Sequence, residues 1–179
     1  RASGGQSRVA AYAQQRDMAV DAASIHQTKT ELFQAALRGS RLEARGGIVE
    51  ACLRARASGI AMGFVSTTDP ASIDAALAGV EGLDADLFGV ITSAQDGLTQ
   101  KPHPHAYLFA LSTLGVSPRD AVAIEDNAAG LEAAANAGIP ALAFLGENTK
   151  EHPTHNATWH ARETVWPVLS ALMSEVRVA

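Results

Sequence analysis

Apolar positions in the first sixty residues repeat with a helical period, whereas from residue 60 onward they gather into short unbroken runs. Residues 5–17 and 21–37 read as two helices. In the second, Ile25, Leu32, Phe33 and Ala36 fall at i, i+7, i+8 and i+11, on one face, and Gly39 is placed to end it. Gly46-Gly47 opens a third helix with Ile48, Val49, Cys52 and Leu53 apolar, ending near Gly59.

The run Ile60-Ala61-Met62-Gly63-Phe64-Val65 has no polar alternation, which predicts a strand buried on both faces of a parallel sheet. It stops at Ser66-Thr67-Thr68-Asp69-Pro70, where Asp69 suits an N-cap and Pro70 a first helical residue. A helix to about Gly79 follows. The alternation then repeats, with strands over 88–92, 121–124 and 139–145 and a weak one over 158–160. Helices are predicted over 104–114 and 127–137, and a last one runs to about Val176. Strands alternating with helices mean βαβ units and an α/β fold with a Rossmann-like parallel sheet, helices on both sides in three layers. The change from all-helical to alternating pattern divides the chain into a helical unit, 1–45, and an α/β core, 46–179.

Composition narrows the function classes. Apolar residues make up 47% of the 179-residue chain, enough for a core and too many for a disordered polypeptide. The formal net charge of −5, with scattered Lys and Arg, disfavours a nucleic-acid binder, while a few local cations still suffice for a small anion. The sole cysteine, Cys52, excludes an internal disulfide and reads as a core thiol between Ala51 and Leu53. No apolar run reaches the ~20 residues of a membrane span, and no signal peptide stands out, so a cytoplasmic monomer without membrane partners is expected.

In open α/β sheets ligands bind beyond the carboxyl ends of the strands. Ser66, Thr67 and Thr68 follow one strand, Gln100-Lys101-Pro102 stands beyond the next, and Glu125-Asp126-Asn127 follows a third. Each group has a structural reading: a helix cap for Ser66–Asp69, a solvated loop lysine for Lys101, and a helix N-terminus for Glu125-Asp126. Together they are more specific. Paired carboxylates suit Mg²⁺, and a lysine beside hydroxyls suits phosphate oxygens.

Phe64-Val65-Ser66-Thr67-Thr68, Lys101-Pro102 and Ala123-Ile124-Glu125-Asp126-Asn127-Ala128-Ala129-Gly130 resemble, in order and spacing, motifs two to four of the haloacid dehalogenase superfamily. Ser-Thr-Thr-Asp-Pro-Ala-Ser, Lys-Pro-His-Pro-His-Ala-Tyr and Gly-Leu-Glu-Ala-Ala bring the resemblance closest to its CbbY-like and β-phosphoglucomutase-like branch, over about residues 3–146. The resemblance implies a Mg²⁺ cofactor and a small phosphorylated metabolite as partner. Ser66 would bond the transferring phosphoryl group, with Thr67 and Thr68 assisting, and Lys101 would neutralise it. Asp126 would bind Mg²⁺, helped by Glu125, with Asn127 behind them. An aspartate would attack in line and form an aspartyl-phosphate. The helices before Gly39 would belong to a partial α-helical cap. In it Lys29, on the apolar face, either snorkels or reaches a distal anionic group. Ser3-Gly4-Gly5-Gln6-Ser7-Arg8 resembles the branch's specificity loop, with Arg8 a second candidate for that group. His103 would border the site. A metal role for His103 and His105 lacks a third ligand nearby.

The first motif of the family, Asp-x-Asp after a central strand, is missing. The sole Asp-x-Asp, Asp84-Ala85-Asp86, follows no buried strand and lies between motifs two and three, so it reads as a turn. The chain begins at Arg1, and truncation ahead of the cap is the simplest expectation. As given, the chain is expected to be inactive and, without the middle strand, poorly stable. The readings that follow are a sugar-phosphate phosphatase, nearest to the xylulose-1,5-bisphosphate type; a β-phosphoglucomutase-like mutase or phosphoglycolate phosphatase; and a phosphate-binding remnant without catalysis. A signalling receiver domain has its acids first and Lys-Pro last, the reverse of the order here.

Overall fold

A computed structural model describes residues 5–39 and 42–176. Two helices come first, α1 (Gly5–Gln15) and α2 (Ala22–Gly39), followed by α3 (Ile48–Ala57). Then β1 (Gly63–Val65), α4 (Pro70–Gly79), β2 (Val90–Thr92) and α5 (His105–Leu114) alternate. The chain continues through β3 (Ala123–Glu125), α6 (Ala128–Asn136), β4 (Ala141–Ala143), β5 (Trp159–His160) and α7 (Trp166–Val176).

All strand pairs are parallel, and among the described residues they form two sheets, β1-β2 and β3-β4-β5. The best-covered strand is β4. Successive side chains of a strand point to opposite faces. Ala141 and Ala143 accordingly join a cluster with Tyr107, Leu111, Leu131 and Ala134 from α5 and α6. Leu142, between them, packs with Ala51, Phe144 and Val165 beside α3 and α7. A third cluster, Ile73, Leu77, Leu83 and Leu87, supports β1 and β2 and touches Cys52. Burial pushes the Cys52 thiol up from its ordinary range, which fits a core thiol rather than a nucleophile.

Local chemistry explains the helix starts. Asp69 accepts from Ser72 N at 3.3 Å with Pro70 at the first helical position, and Asn127 accepts from Gly130 N at 3.0 Å. Asp21 caps α2 through bonds of 3.0 Å each from Ala23 N and Ser24 N.

Three expectations need correction. The first strand is three residues long rather than six, and is half-covered instead of buried on both faces: Ile60 and Gly63 are exposed, and Phe64 and Val65 are partly covered. The stripe of Ile25, Leu32, Phe33 and Ala36 does not face the core; all four are exposed, and among the described side chains of α2 Leu37 is the buried one. The contact of α2 with α4 runs instead through Gln34, whose amide donates to Asp69 Oδ1 at 2.9 Å and Ser72 Oγ at 3.3 Å. Gly5–Arg8, read from its pattern as the start of a helix and by resemblance as part of a specificity loop, is the first turn of α1, while Ser3 and Gly4 lie outside the described residues.

The passage from the helical pair into the core is clamped. The Arg45 guanidinium stacks 3.7 Å from the Phe144 ring centroid and donates to Phe144 O and, at 2.7 Å, to Leu145 O. A Cβ at Gly46 would overlap the Glu163 carbonyl oxygen, and Gly47, at φ 76°, lies against the Thr164 side chain.

Candidate active site

β1 and β2 are parallel, and the ends of β1 and β3 are brought to one edge of the fold by a shared side chain. Lys101 joins the two sheets there. Its Nζ donates to Val65 O, the last residue of β1, at 2.9 Å and to Glu125 Oε1, the last residue of β3, at 2.5 Å. The pair is well shielded, with 16% of the Lys101 side chain and 7% of the Glu125 side chain exposed. The Lys101-Pro102 peptide is cis, and Pro102 O accepts from Asn136 Nδ2 of α6 at 3.2 Å.

Ser66 follows Val65 directly. Thr92, fully buried at the end of β2, brackets its backbone: the Thr92 hydroxyl accepts from Ser66 N at 2.9 Å and donates to Ser66 O at 2.7 Å. Ser66 Oγ accepts from Thr68 N at 3.2 Å, and Thr68 O accepts from Ala94 N at 2.7 Å. The hydroxyl loop is therefore fixed from two sides. Thr92→Val removes both bonds and leaves two backbone groups without their partner. Its expected cost is about 2 kcal/mol, read as a lower urea midpoint at unchanged m-value.

Glu125 is held as a group. Tyr107 of α5 donates its hydroxyl to the same Oε1 that Lys101 meets, and Lys101 Nζ lies 4.7 Å from the Tyr107 ring centroid. On another side, a Cβ at Gly130 would overlap both Glu125 oxygens, so only glycine leaves room for this carboxylate. Burial first, then the charge of Glu125 and its hydrogen bond, and last the charge of Asp126, push the Tyr107 phenol well above its ordinary range and keep it a donor. Asp126 is exposed, and its Oδ1 accepts from Asn127 Nδ2 at 2.7 Å. His152 Nδ1 accepts from Ala128 N at 3.4 Å, which puts the 147–155 loop beside this turn.

The structure thus brings Ser66, Lys101 and Glu125 to one edge, with Thr67, Thr68, Asp126 and Asn127 next to them in the chain. Arg8 lies on α1, lining an apolar cleft of about 390 Å³ with Tyr12, Met18 and Ile25. Lys29 Nζ lies 5.0 Å from the Phe33 ring centroid on the exposed stripe of α2. His103 accepts through Nδ1 from His105 N at 3.2 Å, and His105 Nδ1 accepts from Thr99 N at 3.2 Å, so both rings order their loop. Asp84 and Asp86 are exposed around a 3-10 turn ahead of β2, at the opposite edge from Lys101. Tyr107, Thr92, Gly130, Gln34 and His152 escaped the sequence reading. Tyr107 and Gly130 had a signal, as the last residues of Lys-Pro-His-Pro-His-Ala-Tyr and of the run 123–130, though no role was read for either.

Among the described residues no group of three His, Cys, Asp or Glu side chains gathers to hold a metal. The donors present do fit an ion that keeps most of its waters: Asp126 offers a hard oxygen at the open edge, and Glu125 stands behind it. No described helix is long and apolar enough to cross a membrane.

The carboxyl edge of this parallel α/β architecture thus carries hydroxyls, a shielded lysine and an exposed acid. Comparison with known proteins identifies the class. The haloacid dehalogenase-like hydrolase family matches over residues 3–138. Protein CbbY of Rhodobacter capsulatus is 33% identical over 138 residues, covering 76% of this chain and 61% of that protein. Protein CbbY of Cereibacter sphaeroides is 34% identical over 152 residues, covering 83% of this chain and 66% of that protein. The chain thus spans less than two thirds of the length of either relative. A crystal structure of a CbbY mutant from Rhodobacter sphaeroides in complex with xylulose-(1,5)bisphosphate superposes with a TM-score of 0.80 at 31% identity, over 89% of this chain and 72% of that one. The chain belongs to the haloacid dehalogenase-like hydrolases, and within them it is CbbY-like.

Proposed function

We propose that this chain carries the phosphate-binding half of a Mg²⁺-dependent phosphohydrolase for a small phosphorylated sugar or related metabolite. The observation that carries the reading is the bridge of Lys101 across Val65 O and Glu125 Oε1, beside Ser66. An amine fixed between two strand ends, next to a bracketed hydroxyl loop, is a preorganised seat for phosphate oxygens. The bisphosphate bound by the similar CbbY structure supports the substrate class.

In this reading Ser66 Oγ and the Thr67 and Thr68 groups bond the phosphoryl oxygens, and Lys101 offsets their charge. Asp126 and Glu125 hold Mg²⁺, which supplies charge stabilisation at the transferring group. Asn127 orients Asp126. The helices before residue 46 form a partial cap, from which Lys29 or Arg8 meets a distal anionic group, with His103 at the rim. The nucleophile of the aspartyl-phosphate step is not among the residues of motifs two to four. Binding without turnover by this chain is therefore the second reading.

Titration of inorganic phosphate with Mg²⁺, followed by calorimetry, tests the seat. Ser66→Ala should weaken binding about tenfold, the loss of one hydrogen bond to a charged group. No binding by the unaltered chain up to about 10 mM phosphate would sink the reading.

A further inference from the structure

Glu125 Oε1 receives two donors at once, the Lys101 amine and the Tyr107 hydroxyl. The Tyr107 ring also lies beneath the amine, and Gly130 clears the space behind the carboxylate. Three elements thus converge on one oxygen: α5 through Tyr107, β3 through Glu125, and the loop before α5 through Lys101. A lysine has four rotatable stem bonds and does not hold one place unaided. A carboxylate fixed by a second, buried donor gives it a fixed partner.

We propose that Tyr107 is the positioning residue of the Lys101–Glu125 pair. Its hydroxyl pins Glu125 Oε1 where Lys101 meets it, keeping the amine beside Ser66 and leaving Asp126 as the carboxylate open to a cation. The role of the amine toward phosphate rests on the proposed function; the pinning itself does not. Tyr107→Phe keeps the ring and its contact with the amine and removes the hydroxyl alone, so it isolates the bond to Oε1. Gly130→Ala reaches the same carboxylate from the other side, by occupying its space.

The chain has three lysines, Lys29, Lys101 and Lys150, of which Lys101 is shielded and the other two are exposed. Site-resolved reductive methylation of the purified chain at fixed pH, read by peptide mass spectrometry, therefore follows Lys101 against two internal standards. Tyr107→Phe is expected to raise the Lys101 rate about fivefold relative to Lys150, the factor worth one lost hydrogen bond. Gly130→Ala should raise it in the same direction. Equal Lys101 rates in the unaltered chain and Tyr107→Phe would overturn the proposal. So would a rise shared equally by Lys29, Lys101 and Lys150, which reports general loosening. Inorganic phosphate with Mg²⁺ should slow methylation of Lys101 in the unaltered chain. If it does not, the phosphate reading fails, while the Tyr107 result stands on its own.

Discussion

Lys101→Met is expected to destabilise the chain by about 3 kcal/mol and to remove phosphate binding, while the double variant Lys101→Met/Glu125→Gln recovers most of the stability and none of the binding. The asymmetry comes from burial. Glu125 is 7% exposed and its charge has been taken out of water against the Lys101 amine. Deleting the amine leaves that charge with the Tyr107 hydroxyl and little solvent. Deleting the charge as well removes the penalty, because a neutral amide in the same place still accepts from Tyr107. An ordinary loop lysine behaves differently: its loss falls within about 0.5 kcal/mol, as for surface positions generally. Urea unfolding of the four proteins in the cycle gives the coupling, and phosphate titration gives the binding. Equal destabilisation of the single and double variants would show that Lys101 and Glu125 are not energetically paired, and the bridge between the sheets would lose its meaning.

Sequence reading succeeded where the determining chemistry is local. Residues 70–79 form α4 as expected because Asp69 and Pro70 define its start within three residues. Asn127 likewise starts α6. It failed where partners are distant in sequence. Thr92 meets Ser66 across 26 positions, and Arg45 meets Phe144 across 99. No periodicity marks either. The α2 stripe failed for a different reason. Helical spacing tells which residues share a face, not which face meets the core, and here Gln34 turned toward α4 and Leu37 is buried, while Leu32 and Phe33 stayed outside. The site residues are a mixed case. Ser66, Lys101 and Glu125 were legible because strand order and the carboxyl-edge rule place them together. Their hold on one another was not, since Tyr107 and Gly130 stand in quoted motifs without a role until the carboxylate between them is seen.

The chain of 179 residues is expected to release no phosphate from xylulose-1,5-bisphosphate or p-nitrophenyl phosphate with Mg²⁺, on the order of 10⁴-fold or more below a chain that supplies the nucleophile. The carboxyl edge described above holds an amine, hydroxyls and two acids, each of which has a role other than attack in the proposed reading. Glu125 is tied to Lys101 and Tyr107, and Asp126 is paired with Asn127 and stands in solvent. The one Asp-x-Asp, Asp84-Ala85-Asp86, precedes β2 and so lies at the wrong end of the sheet for either. What the edge would accept is also defined. Among the described residues β1 pairs with β2 and β3 with β4, so each has one side without a partner strand there, and Lys101 spans the ends of both. An apolar strand ending in Asp-x-Asp, added to the chain as a test, is the partner that such an edge would suit. Phosphate release measured for the two proteins side by side decides the matter. Activity in the extended chain alone assigns the nucleophile to the added strand. Turnover by the 179 residues themselves would mean that one of their own side chains accepts the phosphoryl group, and the aspartyl-phosphate reading would have to be abandoned for this chain.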